Sequence, residues 1–181
     1  SDAKTGINAE LGLAGSISGR ITFDGPFGVQ GLSYADVAIY TPACDYVTTV
    51  STDLEGYYQA TGIAAGDYLV WANSFGDLNA QFFGGGIQCE TATVVAVTPG
   101  QDAGGIDINL VAGGSISGTV TNEAGTPLAN VGIQLYSNNL DYWNYATTDA
   151  DGFYTFAGIP AGNDFKVHFS GIGTYRGQFF K

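Results

Sequence analysis

The sequence is poor in cations, and this is its most restrictive property. Only five of its 181 residues are Lys or Arg, against 17 acidic residues, and neither cation occurs between positions 21 and 165. Phosphate backbones and anionic lipid headgroups are bound by clustered cations. The composition therefore excludes nucleic acids and anionic membranes as partners, and the net charge of −12 predicts an acidic surface.

Other absences narrow the function further. The single histidine, His168, and two widely spaced cysteines cannot supply the four close ligands of a zinc site or the base of a catalytic triad. Nothing singles out a pair of carboxylates for acid–base chemistry, so we predict neither an enzyme nor a bound cofactor. No apolar run approaches the roughly 18 residues of a membrane span. Because methionine and a signal peptide are absent, we interpret the chain as a mature or trimmed polypeptide.

The two cysteines, Cys44 and Cys89, are predicted to form one disulfide. Such a bond persists in an oxidising compartment, and a surface with so few Lys and Arg offers trypsin-like proteases little to cut. We therefore expect an extracellular protein, either secreted or on a cell surface. Two inert, buried thiols are the alternative.

Helical periodicity is also absent, and 28 glycines are too many for long helices. Short runs instead alternate apolar and polar residues, as half-buried strands do. Examples are residues 16–23, 115–121, 131–136 and 165–169. Glycine or Asx turns separate the runs every 8 to 15 residues, a spacing typical of an antiparallel sandwich.

An internal repeat organises the whole chain. Residues 6–19 return at 105–118 with an offset of 99, and residues 52–66 return at 148–162 with an offset of 96. Self-similarity at a fixed period indicates tandem copies of one module. The architecture can therefore be predicted before any residue chemistry is considered.

The repeat also sets the module boundaries. We predict an all-β fold of two tandem antiparallel Greek-key β-sandwiches: a first module at 15–111 and a second module at 112–181. Lys181 corresponds to Gly84, so the second module lacks counterparts of its closing strands. Residues 1–14 are predicted to be the closing strand of a preceding module, a possible donor strand, followed by a linker.

Two segments of the second module carry a family resemblance. Residues 114–131, GSISGTVTNEAGTPLANV, and 147–162, TTDADGFYTFAGIPAG, resemble the carboxypeptidase regulatory-like domain. The resemblance implies a prealbumin-like (transthyretin-like) sandwich that is also similar to collagen-adhesin B-type repeats of bacterial surface proteins. It implies a stalk, spacer or binding module without catalysis. B-type repeats often carry an isopeptide bond from a first-strand Lys, but Arg20 and Thr119 stand in these strands, so we expect none.

The N-terminal segment indicates how such modules could associate. It contains a copy of the strand 105–110, the strand for which the second module has no counterpart. The copy consists of Gly6, Ile7, Asn8, Ala9, Glu10 and Leu11. Because an open sheet edge seeks a partner, donation of this strand to a preceding molecule would build a head-to-tail filament. Simple truncation of a longer natural array is the alternative, and the graft would still lack counterparts of residues 85–99.

An aromatic cluster distinguishes the second module from the first. Where the first copy has Val47 and Thr49, the second has Trp143 and Tyr145, next to Tyr142. Residues two apart lie about 7 Å from each other on one face of a strand. Such rings stack on sugars or anchor protein interfaces, and packing against a neighbouring domain or subunit is the alternative to sugar binding.

The acidic turns give the weakest site prediction. Asp149 and Asp151 lie two residues apart before a glycine, and Asp141 or Asp164 could add oxygen ligands for a calcium ion. A plain type I turn prefers the same residues, and residues 53–56 repeat the pattern. We therefore predict no dedicated metal site, and calcium stays a weak candidate.

These observations together predict a non-catalytic, extracellular structural protein. It would be a repeat-built stalk or filament subunit whose main partner is itself, joined head to tail by N-terminal strand donation. The alternative is a carbohydrate- or surface-ligand-binding module of a secreted or cell-surface protein, with Trp143 and Tyr145 at its site.

Overall fold

The computed structural model describes residues 12–73, 76–137, 142–162 and 164–180, and of Tyr142 it describes the backbone alone. These residues form short β-strands and one 3₁₀ turn, Cys89–Thr91. The predicted all-β fold is confirmed. Within the described ranges, no helix is long and apolar enough to cross a bilayer.

Ten strands in two sheets make up the first module. They are β1 (Gly15–Gly25), β2 (Gly28–Gly31), β3 (Asp36–Tyr40), β4 (Tyr46–Ser51), β5 (Tyr57–Ile63), β6 (Gly66–Asn73), β7 (Gln81–Phe82), β8 (Val95–Val97), β9 (Asp102–Ala103) and β10 (Ile108–Leu110). The first sheet gathers β2, β5, β9 and β10 around β1, and the second has the order β4-β3-β6-β7 with β8 also on β6.

The closing strand of the first module runs parallel to the first strand. β1 pairs antiparallel with β2 and β5, but β9 and β10 pair with it in parallel, with Ser16 opposite Asp102 and Ile21 opposite Ile108. Antiparallel pairing therefore holds for the module except at its closing strand. Alternation of apolar residues does not reveal strand direction, and here the chain crosses from the second sheet to the first before it pairs with β1.

The second module repeats part of this plan with six described strands. They are β11 (Gly114–Thr119), β12 (Gly132–Ser137), β13 (Tyr142–Thr147), β14 (Phe153–Ile159), β15 (Lys166–Phe169) and β16 (Gln178–Phe179). β11 pairs with β14, as β1 pairs with β5, and the other sheet has the order β13-β12-β15-β16. Counterparts of β8, β9 and β10 are absent from the described part of this module.

Buried residues form two separate clusters, one in each module. The larger includes Ile17, Ile21, Val37, Ile39, Val70, Val97, Ile108 and Leu110. The smaller consists of Ile133, Leu135, Tyr154, Phe156 and Ile159. The residues of the closing strand belong to the larger cluster, and the smaller one has no equivalent layer among the described residues.

A buried threonine shows how closely the two modules share local structure. The Thr52 hydroxyl accepts from the Ala35 N–H at 2.9 Å and donates to the Leu32 carbonyl at 2.6 Å. Thr148 makes the same pair of bonds in the second module, to the Val131 N–H and the Leu128 carbonyl. In both modules one side chain thus satisfies buried backbone groups where two loops meet.

Backbone contacts hold the modules together at their junction. The Gly113 N–H donates to the Asp77 carbonyl at 2.8 Å, and beside it, within the first module, the Asn79 N–H donates to the Val111 carbonyl at 2.8 Å. Gly158 of the second module reaches this segment, with φ of +63°, and a Cβ there would lie 2.7 Å from the Leu78 carbonyl oxygen. Glycine is required at this position because no side chain fits.

Candidate functional site: an open strand edge and an aromatic cleft

In the first module, the closing strand forms hydrogen bonds with the edge of β1 that faces away from β5. The Ser16 N–H donates to the Gln101 carbonyl at 3.0 Å, and the Ile106 N–H donates to the Ser18 carbonyl at 3.0 Å. Arg20 donates its N–H to the Asp107 carboxylate at 2.8 Å. These bonds satisfy the backbone of β1 that faces away from β5.

Asp102 is the polar anchor of this pairing. Its two carboxylate oxygens accept hydrogen bonds from the hydroxyls of Ser16 and Ser18, one oxygen each. These bonds hold the pKa of Asp102 below its ordinary value. A Ser-x-Ser pair on the first strand therefore binds one carboxylate on the closing strand, and this fixes the register of the two strands.

Tyr58 anchors the closing strand from the opposite side. Its hydroxyl donates to the Ile106 carbonyl at 2.8 Å, and its ring is 5% exposed. Burial, together with the nearby carboxylates of Asp107 and Asp102, raises the pKa of Tyr58 well above its ordinary value. The tyrosine therefore stays protonated and acts as a hydrogen-bond donor.

The second module presents the same groups, and no other described strand pairs with them. Ser115, Ile116 and Ser117 are the counterparts of Ser16, Ile17 and Ser18. Among the described residues β11 pairs with β14 alone, so its other edge is open. Ile116 is half-buried, whereas Ile17 is fully buried, and the two serines are exposed. This edge of the second module is called the open edge below.

Tyr154 is the counterpart of Tyr58 at an offset of 96. Its side chain is only 7% exposed, and burial raises its pKa. In the part of the chain that the structure describes, no group accepts a hydrogen bond from its hydroxyl. Tyr58 donates to the closing strand at the equivalent position, so among the described residues the Tyr154 hydroxyl is a donor without an acceptor beside the open edge.

The predicted donor residues, Gly6 to Leu11, lie outside the described residues. Their pairing with the open edge therefore stays a prediction. Sequence reasoning missed the serine pairs and the two tyrosines that lie along this edge in the two modules. The signal was present, because the Ser-Ile-Ser run and the Tyr of each module both recur in the internal repeat.

The predicted aromatic pair lies on the exposed face of β13. The rings of Trp143 and Tyr145 have centroids 6.5 Å apart and planes inclined by 17°, so they are nearly parallel. This pair of rings is called the platform below. Trp143 is 65% exposed and Tyr145 is 50% exposed. The backbone of Tyr142 continues the strand, while its side chain lies outside the described residues. Neither ring belongs to the core of the module.

Trp143 also lines a cleft between the two modules. The cleft has a volume of about 720 Å³ and is bounded on the first-module side by Tyr40, Trp71 and Phe82. Trp71 and Phe82 pack edge to face at 4.6 Å between ring centroids, and Tyr40 packs against Phe82 at 6.1 Å. Aromatic side chains from both modules thus meet at one site.

The predicted disulfide between Cys44 and Cys89 is confirmed, with an S–S distance of 2.01 Å and Cα atoms 6.0 Å apart. It joins the loop after β3 to the 3₁₀ turn that follows β7. Both cysteines line the cleft. The bond therefore fixes one wall of the cleft as well as the fold of the first module.

The acidic turns use their carboxylates within the turn itself. Asp149 accepts from the Asp151 N–H and the Phe153 N–H, both at 2.9 Å. Asp164 accepts from the Ser137 hydroxyl, and Asp141 lies outside the described residues. Within those residues, no three potential ligands gather at one point. The contacts favour the turn interpretation, and calcium binding stays untested.

His168 lies on β15 beside Phe179, with ring centroids 4.8 Å apart. It is half-buried, because the Phe179 ring of β16 covers it. The structure places this histidine in a packing contact, away from both the open edge and the cleft.

The family model of the carboxypeptidase regulatory-like domain matches residues 115–178. This match confirms the predicted resemblance, and it falls on the second module, the one with the open edge. No curated protein matches the chain.

Solved structures of bacterial proteins show a distant likeness. The TIE protein of Bacillus anthracis is 16% identical, with a TM-score of 0.41, over 93% of this chain and 31% of its own. The minor pilin GBS52 of Streptococcus agalactiae is 13% identical, with a TM-score of 0.42, over 57% of this chain and 46% of its own.

The shaft pilin SpaA of Lactobacillus rhamnosus GG is 10% identical, with a TM-score of 0.37, over 94% of this chain and 93% of its own. The chain thus spans less than half of the first two proteins. At these TM-scores, the likenesses carry no weight for its function.

Proposed function

We propose that the chain is a non-catalytic, extracellular structural subunit that assembles head to tail, with the N-terminal strand of one molecule pairing with the open edge of the next. One observation carries the proposal. The second module presents the groups that bind the closing strand in the first module, without a strand on them among the described residues, and residues 1–11 copy that strand.

The apolar pattern of the donor fits the groove that it would fill. Ile7 and Leu11 correspond to Ile106 and Leu110, which are 9% and 0% exposed in the first module. The position of Ile108 is taken by the smaller Ala9. Alternate residues of the donor would therefore cover the half-buried Ile116 and the adjacent core, while Asn8 and Glu10 face solvent.

The polar anchors also have counterparts in the donor. Asp2 and Ala3 match Asp102 and Ala103, followed by three residues instead of two before the isoleucine. Asp2 would accept from the Ser115 and Ser117 hydroxyls, as Asp102 accepts from Ser16 and Ser18. The Ile7 carbonyl would accept from the Tyr154 hydroxyl. The extra residue is accommodated where Gly104 and Gly105 loop between β9 and β10.

Such a contact joins two different surfaces, and in the proposed assembly it continues from one molecule to the next instead of closing into a ring. The donor lies before the first module and the acceptor lies in the second, so each molecule offers one of each. A heterologous interface of this kind propagates as a filament or fibre. The confirmed disulfide supports an oxidising, extracellular setting. The place of β8 in the second module is not filled by this donor.

Deletion of residues 1–11 tests the proposal. The full chain should form concentration-dependent oligomers in sedimentation velocity and filaments in electron microscopy. The deleted chain should stay monomeric, with unchanged first-module stability, because the first module contains its own closing strand. Phe27→Ala, at the exposed β1–β2 turn, is a control that leaves both donor and acceptor intact.

A synthetic peptide of residues 1–11 separates strand donation from other modes of association. It should bind the deleted chain and cap the growth of the full chain, whereas a scrambled peptide should do neither. A full chain that remains monomeric at high concentration would refute the proposal. Assembly that survives the deletion would show that another surface joins the molecules.

A further inference from the structure

The cleft between the modules is built as a rigid site. Its two walls are held by the Gly113–Asp77 backbone hydrogen bond and by the close contact between Gly158 and Leu78. The disulfide of Cys44 and Cys89 fixes the outer wall. A preformed pocket of about 720 Å³ lies within the size range of small-ligand sites.

The chemistry of the lining combines flat rings with neutral amides. Tyr40, Trp71 and Trp143 supply aromatic surface, and Asn73 and Asn79 supply amide groups. Glu90 is the one charged side chain among the described lining residues, and no cation lines the cleft. Phosphate, sulfate or carboxylate ligands would meet a negative group without a compensating cation, so the lining disfavours them.

A purely apolar ligand fits the lining no better. It would cover the side-chain amides of Asn73 and Asn79 without offering them hydrogen bonds, which is costly. The lining instead suits a neutral molecule that has hydroxyl groups at its edges and C–H bonds on its faces. The positive C–H faces lie on the negative faces of the rings, and the amides bond to the hydroxyls. A pyranose ring has this form.

The platform of Trp143 and Tyr145 extends the site beyond the cleft. Its two rings are nearly parallel and exposed, and Trp143 belongs to both the platform and the cleft. A chain of several sugar units could therefore run from the cleft along β13. A single small molecule would occupy the cleft and leave Tyr145 uncovered.

We propose that the intermodule cleft binds a neutral oligosaccharide, with Trp143 as the stacking platform at its mouth and the side-chain amides as hydrogen-bonding groups inside it. This inference goes beyond the assembly proposed above, since it uses a different surface. It leaves the open edge and residues 1–11 uninvolved.

Intrinsic fluorescence tests this directly, because both tryptophans of the chain, Trp71 and Trp143, line the cleft. Cellohexaose, mannohexaose and chitohexaose are titrated separately into the full chain up to about 10 mM. At least one should shift the emission with saturation, while hexagalacturonate, an anionic oligosaccharide, should not. Trp143→Ala should weaken the binding about tenfold or more, measured by calorimetry.

Phe27→Ala is the matched control, since Phe27 is 92% exposed at the β1–β2 turn and does not line the cleft. It should leave sugar binding unchanged. Two results would overturn the proposal: no response to any neutral probe, or binding unaffected by Trp143→Ala. Neither depends on the outcome of the residue 1–11 deletion.

Discussion

Tyr58 and Tyr154 occupy equivalent positions, yet the described residues give a hydrogen-bond acceptor to Tyr58 only. The pair therefore separates two roles of one side chain. In the first module the hydroxyl holds a closing strand that is already present. In the second, the proposed assembly assigns it to a strand supplied by another molecule.

Tyrosine-to-phenylalanine substitution should therefore reduce the stability of the monomer at the first site and the strength of assembly at the second. Tyr58→Phe should destabilise the first module by about 1 to 3 kcal/mol, because the Ile106 carbonyl is left without its donor. Tyr154→Phe should leave the monomer as stable as before and weaken head-to-tail assembly several-fold. Denaturant unfolding measures the first effect and sedimentation velocity the second. Equal loss of monomer stability in both variants would contradict the assignment.

Alkaline pH should unfold the first module through the same tyrosine. The folded state raises the pKa of Tyr58 above its ordinary value, so the unfolded chain loses this proton first. Stability should thus be constant with respect to this group below pH about 10 and decrease as the pH rises above it. Tyr58→Phe should show a shallower decrease, measured by thermal unfolding between neutral and strongly alkaline pH.

Some residue-scale features were predictable from the sequence and others were not. An isolated pair of cysteines sufficed for the disulfide, because few alternatives exist for two such residues. The bond from Ser16 and Ser18 to Asp102 spans more than 80 residues, and alternation in one strand does not identify the partner strand. Only the repeated Ser-Ile-Ser run could have indicated it.

At the scale of elements, the proposed assembly depends on the open edge of β11. The N–H of Ser115 is the counterpart of the Ser16 N–H, which bonds to the closing strand at 3.0 Å. A proline removes such a donor, and sheets tolerate it where that N–H points away from the neighbouring strand.

Ser115→Pro should therefore block assembly while the second module stays folded. The matched Ser16→Pro should instead destabilise the first module, since its closing strand loses a bond that is already formed. Circular dichroism and thermal unfolding report the fold of each variant, and electron microscopy reports filaments. Filaments of normal length from Ser115→Pro would place the joint at another edge.

The strands themselves follow from the alternation in the sequence, and the repeat correctly relates β11 to β1 and β14 to β5. The direction of β9 and β10 did not follow. A strand that pairs with β1 in parallel has the same alternation as an antiparallel one, and its direction depends on a crossover that only the folded chain shows. The division of the chain at residues 15–111 and 112–181 stays a prediction.

At the scale of the whole molecule, one covalent bond supports both the first core and the cleft. Cys44 and Cys89 are separated by 45 positions in the chain. A loop of that size corresponds to about 4 kcal/mol of stabilisation in the chain-entropy model.

Replacing both cysteines by serine should therefore lower the unfolding free energy by up to about 4 kcal/mol, measured by urea denaturation. It should also weaken oligosaccharide binding in the fluorescence titration, because the outer wall of the cleft is no longer fixed. Head-to-tail assembly should be less affected, since the open edge lies in the other module. Unchanged stability in the double variant would show that packing alone holds these loops.

The cleft could not be predicted from the sequence, although its platform was. Trp143 and Tyr145 stand out because they replace Val47 and Thr49 of the first copy. Trp71 and Tyr40 reach the same site from strands far away in sequence, and their meeting depends on how the two modules pack at the junction. No local pattern encodes that packing.

The parallel closing strand also determines how a module carries a mechanical load. The chain enters the first module at the start of β1 and leaves it at the end of β10, and parallel pairing puts these points at opposite ends of one strand pair. Tension on the chain therefore slides the strands past each other and strains their hydrogen bonds together, instead of opening them one after another. A joint made by the same pairing between molecules would resist being pulled apart in the same shearing geometry, at every link of a filament.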